Sequence, residues 1–68
     1  MNVNIELDRE VDGRWIAEVP ALPGVIVYGA TRSDAITKAK ALALHVIADR
    51  IEHGEETSEL ESLSFAAA

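Results

Sequence analysis

The sequence predicts a small α+β domain of order βββαβ, and three observations predict it. Residues 2–8 alternate between polar and apolar side chains, the period of a strand with one face in a core and one in water. Two further strand-like runs meet at Pro20-Ala21-Leu22-Pro23-Gly24, where prolines fix φ, remove backbone donors, and a glycine permits a sharp turn. Residues 32–53 then place apolar side chains at intervals of three and four, the spacing of an amphipathic helix.

In the first strand Val3, Ile5 and Leu7 face one way and Asn2, Asn4, Glu6 and Asp8 the other. Asp12-Gly13 is a hairpin signal, because both residues tolerate the positive φ of tight turns between twisted strands. The second strand, 14–19, sets Trp15, Ala17 and Val19 on one face and Ile16 and Glu18 on the other. The third, 25–29, is apolar on both faces, with Val25 and Val27 opposite Ile26 and Tyr28. Thr31 and Asp34 approximate a capping box, so the helix starts at Arg32. Ala35, Ile36, Ala39, Leu42, Ala43, Val46, Ile47 and Ile51 form its inward stripe, and His53-Gly54 closes it with a left-handed glycine cap. A polar connection over 55–58 leads to a weaker last strand at 60–65, with Leu63 and Phe65 on one side. The three terminal alanines carry no pattern and are expected to fray.

Connection rules turn this order into a topology. Short turns make the first three strands an antiparallel meander, and the helix is a right-handed crossover that returns the fourth strand parallel to the first. The expected order is 3-2-1-4, with the helix on one face of the sheet and packed on Val3, Ile5 and Leu7. The other face is left as a mixed patch of Asn4, Glu6, Ile16, Glu18, Ile26 and Tyr28, the composition of an interface.

Composition bounds the rest. At 68 residues the chain is one domain, and a domain of this size buries only about 60% of the surface its unfolded chain exposes. There is no cysteine, so neither disulfides nor thiolate metal sites reinforce the core, and self-association into a dimer or tetramer is the expected source of added stability. Twelve acids against six bases give a formal net charge of −6, which disfavours a nucleic-acid backbone and favours a basic partner. No membrane-spanning run or secretory leader is visible, so a cytoplasmic location without membrane contact is expected. No nucleophile–base pair or phosphate loop stands out. Glu6, Asp8 and Glu18 are too few to close a two-metal nuclease cage. His45 and Asp49, one turn apart, are two ligands without a third. No catalytic residue, metal or cofactor is therefore assigned.

The hairpin, the strand Trp15-Ile16-Ala17-Glu18-Val19-Pro20, the turn Leu22-Pro23-Gly24, the helix approach Gly29-Ala30-Thr31 and an alanine-rich helix opening at Asp34-Ala35 together resemble the N-terminal domain of the HicB antitoxin family. The resemblance covers about residues 1–65 and rests structurally on Leu22, Pro23, Gly24, Gly29 and Thr31. It implies a partial ribonuclease-H-like fold and a partner: HicA, a small basic ribonuclease that cleaves messenger RNA and that such antitoxins neutralise by covering its RNA-binding surface. Full-length members carry a C-terminal helix-turn-helix or ribbon-helix-helix segment. None is present within these residues, so no direct DNA binding is expected. No motif carries the partner-contacting residues, and charge and strand facing nominate Glu6, Asp8, Glu10, Glu18 and Tyr28. The alternative is a free-standing oligomeric domain that binds and regulates another protein or a small ligand.

Overall fold

A computed structural model of the chain describes residues 1–55 and 58–67. Strands β1 (Asn2–Arg9), β2 (Trp15–Glu18) and β3 (Ile26–Gly29) precede helix α1 (Arg32–Glu52), and a 3-10 turn (Ser58–Glu61) leads to β4 (Ser64–Ala67). The sheet has the order β3-β2-β1-β4. β1 pairs antiparallel with β2 and β2 with β3, while β4 runs parallel to β1. This is the α+β arrangement the alternation and the single crossover predict.

The turns explain the register. In the first hairpin Glu10 N–H donates to the Arg14 carbonyl at 2.7 Å, Gly13 N–H donates to the Glu10 carbonyl at 2.9 Å, and Gly13 takes φ +92°. The Asp12 carboxylate accepts from the Arg14 backbone N–H at 3.0 Å and from its Nε at 2.7 Å. These bonds, led by the backbone one, hold the Asp12 carboxyl below its ordinary value. In the second connection, Leu22 N–H donates to the Val19 carbonyl and Val25 N–H to the Leu22 carbonyl. Pro23 and Gly24, the latter at φ +90°, occupy the central positions of a type II turn. The two turns fold Leu22 inward, where it is fully buried with Val19 and Val25.

The core is Val3, Ile5, Ala17, Val19, Leu22, Val25, Ala35, Ala39, Ala43 and Ile47. Along α1 the buried positions recur every four residues and are mostly alanine, so the helix lies close on the sheet. It packs chiefly on β3 and β2 and much less on β1, a position shifted from the one expected over Val3, Ile5 and Leu7. Val3 and Ile5 are nevertheless buried, and Leu7 is half-buried against the cluster. Ile51 does not belong to the inward stripe and is 47% exposed. At about 100° per residue it has turned about 80° from the line of Ala43.

The helix C-terminus closes as a Schellman motif. Gly54 N–H donates to the Ile51 carbonyl and Glu55 N–H to the Arg50 carbonyl, with Gly54 at φ +76°, which satisfies two terminal carbonyls. The polar connection expected over 55–58 lies partly outside the described residues. The last strand is displaced from its expected position: residues 60 and 61 belong to the 3-10 turn, and Ala66 and Ala67 are paired with Asn4 and Ile5 in β4. These alanines are therefore not a frayed tail, because a parallel strand is held by its backbone ladder and Ala costs no side-chain entropy there. Residue 68 lies outside the described residues. The N-terminal ammonium donates to the Ser62 carbonyl and Ser64 Oγ to Asn2 Oδ1, tying the two chain ends side by side.

Candidate functional site

The sheet face turned away from α1 is the candidate site. Alternation along β1, β2 and β3 places Asn4, Glu6, Asp8, Ile16, Glu18, Ile26 and Tyr28 there, and the register arranges them in rows. Asp8 is opposite Ile16 and Ile16 opposite Tyr28; Glu6 is opposite Glu18 and Glu18 opposite Ile26. Ile26 is 48% and Tyr28 44% exposed, so this face carries apolar surface that nothing among the described residues covers. The sequence-nominated Glu6, Asp8, Glu10 and Glu18 come together, with Leu7 and Ile16, around a shallow trough of about 540 Å³. Tyr28 lies on the same face outside the trough lining.

The electrostatics of the trough are lopsided. Glu6 and Glu18 are exposed and directly opposed on neighbouring strands. Like charges so placed, with Cβ atoms about 4.5–5.5 Å apart, destabilise an antiparallel pair. Among the described residues no cation pairs with Glu6, Asp8 or Glu18. The cations nearby are committed elsewhere. Arg14 is bonded to Asp12 and stacks its guanidinium 4.5 Å from the centre of the Tyr28 ring. Lys38 pairs with Asp34 at 3.2 Å and reaches the Tyr28 carbonyl. Tyr28 is thus held from both sides, a feature strand patterning alone could not reveal, because Arg14 reaches it only through the β2–β3 register.

Gly29, Thr31 and Asp34 position the edge of this face. Gly29 is buried, and a Cβ there would fall 2.8 Å from the Cα of Ala35, so its lack of a side chain lets the first turn of α1 sit against β3. Thr31 Oγ1 accepts from Asp34 N–H at 3.0 Å. The Asp34 carboxylate accepts from Ala30 N–H at 3.1 Å, one residue before the cap, rather than closing a strict capping box. That bond first, and Lys38 second, hold the Asp34 carboxyl below its ordinary value.

Asp49 accompanies His53 rather than His45: His53 Nδ1 lies 2.7 Å from the Asp49 carbonyl and 3.4 Å from its carboxylate. Among the described residues no three or more His, Asp or Glu side chains are placed to hold a metal ion, and no helix is long and apolar enough to cross a membrane. No family model, curated protein or solved structure matches the chain.

Proposed function

We propose that the chain is a HicB-like antitoxin module that binds a small basic, HicA-type ribonuclease through the open face of its sheet and covers that enzyme's RNA-binding surface. The observation that carries this reading is the direct opposition of Glu6 and Glu18 on an exposed, partly apolar face, without cations to compensate them. A repulsion of that kind works against the isolated domain, and local rules are broken in this way where a partner supplies the missing charge. Glu6, Asp8, Glu10 and Glu18 meet the partner's lysines and arginines, while Ile16, Ile26 and Tyr28 give the apolar centre such an interface needs. The net charge of −6 steers the encounter, and the α+β topology is compatible with the partial ribonuclease-H-like fold of that family. The chain acts by binding and contributes no catalytic group. It works in the cytoplasm, where messenger RNA is translated.

The test is co-expression with the basic polypeptide encoded by the adjacent reading frame. Wild-type chain is expected to co-purify with it and to restore growth. The Glu6→Lys/Glu18→Lys variant, which exchanges one opposed like-charge pair for another at exposed positions without touching the core, is expected to stay folded and bind at least ~10-fold more weakly, the scale of like-charge contacts at an interface. Failure of the wild type to co-purify or rescue, or full rescue by the charge-reversed variant, would overturn the reading.

A further inference from the structure

Alternation places Arg14 on the open face with Ile16 and Glu18, a base beside acids that meet a basic partner, so its charge works against that association. Its geometry points elsewhere. The backbone N–H and Nε of Arg14 both donate to the Asp12 carboxylate, at 3.0 and 2.7 Å, and Gly13 between them closes the turn at φ +92°. The guanidinium is tied at its base in this way, and its carbon lies 4.5 Å from the centre of the Tyr28 ring. A planar, delocalised cation at that distance stacks on the aromatic face, which the compact ammonium of a lysine cannot do.

Tyr28 is the aromatic residue of this face and sits among its apolar side chains. Ile16 stands directly opposite it on β2, and Ile26 lies two positions before it on β3. Val19 N–H donates to the Val25 carbonyl at 3.0 Å, and bonded pairs alternate along an antiparallel ladder. Ile16 and Tyr28 therefore form a non-hydrogen-bonded pair, the kind whose side chains come closest. The Tyr28 ring is nevertheless on the surface, where an unbraced side chain exchanges among staggered rotamers. Lys38 holds the backbone of Tyr28 through its carbonyl, whereas Arg14 acts on the ring itself.

We infer that Arg14 is a positioning residue for the interface: tied to Asp12 and stacked on Tyr28, it holds the ring in one orientation, ready for an apolar side chain of the basic partner. The inference rests on the reading of this face as the site of such a partner. Tyrosine and arginine are enriched among the few residues that dominate binding at the centre of an interface, and a side chain immobilised beforehand removes an ordering cost from association. The acids govern the encounter, through attraction that acts at a distance, and the braced ring governs how long the complex lasts. Charge and position make opposite demands on Arg14. On charge alone, loss of Arg14 tightens the complex, because a repelling base disappears and Asp12 becomes an uncompensated acid. On position, loss of Arg14 loosens it.

The experiment measures association and dissociation rates of the purified chain with the basic polypeptide encoded by the adjacent reading frame. Arg14 and Tyr28 are both exposed, so the variants are expected to keep the wild-type circular dichroism spectrum. Arg14→Ala is expected to associate at least as fast as the wild type and to dissociate about 2–10-fold faster, the scale of ordering one side chain on binding. Arg14→Lys keeps the charge without the planar stack, so it is expected to leave the association rate unchanged and still dissociate faster. Tyr28→Ala removes the anchor itself, and on that background Arg14→Ala is expected to add nothing to the dissociation rate, as for residues that act through one another. A dissociation rate that Arg14→Ala leaves unchanged or lowers, or an equal effect of Arg14→Ala with and without Tyr28, would sink this inference and leave the basic-partner reading standing. Absence of wild-type binding would sink both.

Discussion

At the scale of single residues, the fold depends most sharply on a side chain that is missing. Gly29 ends β3 and faces the start of α1, and the atoms a methyl group there would strike are the backbone N and Cα of Ala35 together with its Cβ. Backbone of a capped helix cannot swing aside as a flexible side chain would, so relief requires moving the whole helix start off β3. Gly29→Ala is therefore expected to destabilise the domain by about 1–3 kcal/mol, the usual range for overpacking a fixed contact, seen as a lower urea midpoint with unchanged slope. An unaltered midpoint would show that the helix start yields freely. The sequence makes Gly29 visible as a motif residue but not this reason for it, because a close approach between two elements exists only once both are placed. Leu22 was similarly hidden. Lying between two prolines it reads as turn, yet the paired turns deliver it to the core.

At the scale of elements, the start of α1 is built from two side chains acting on two backbone N–H groups. Thr31 accepts from Asp34 N–H, and Asp34 accepts from Ala30 N–H and pairs with Lys38. Loss of a cap hydroxyl costs about 1 kcal/mol, so Thr31→Ala should lose about that much while Thr31→Ser keeps most of it. Asp34 adds a pH dependence whose sign follows from its shift. Its folded-state value is depressed below the ordinary 3.8, so the folded chain releases this proton more readily than the unfolded one. The contribution is full above the unfolded value and is lost as pH falls through the folded one. In urea titrations the gap between wild type and Asp34→Asn should therefore be widest near neutral pH and close once pH drops well below 3.8; a gap that stayed constant through that range would contradict the assignment. Elements with side-chain signals of this kind were legible: the alternating β1, the proline–glycine turn, the capped helix. β4 was legible as a strand and in its place beside β1 but not in its bounds, because its second half is alanine. Its register is fixed by the parallel ladder to residues 2–5, which no side-chain pattern reports.

At the scale of the whole molecule, charge is concentrated on one side: the acids of β1 and β2 crowd the open face, beside the exposed Ile26 and Tyr28. The acids themselves were legible in the sequence, and so in principle was their opposition: pairing symmetric about Asp12 sets Glu6 against Glu18 and Asp8 against Ile16. What no pattern reported was the commitment of Arg14 and Lys38 elsewhere, which leaves those acids uncompensated. With a net charge of −6, the folded state holds like charges closer together than the unfolded chain does, and the exposed part of this repulsion is screened within a Debye length of about 10 Å at 0.1 M salt. Sodium chloride should therefore stabilise the isolated domain. Relief of about 0.5 kcal/mol corresponds to a rise of about 2–4 °C in a domain this small. Chloride is the appropriate anion, because sulfate raises stability by exclusion from the surface whatever the charge pattern. Glu18→Gln removes one member of the opposed pair, so it should start from a higher melting temperature in low salt and gain less as salt is added. The same screening acts in the other direction on association with a cationic partner, whose on-rate should fall over the same range of salt. A wild-type melting temperature that is flat or falls with sodium chloride would mean that favourable ion pairs such as Arg14–Asp12 outweigh the crowding of the open face, and the charge-driven account of that face would fail with it.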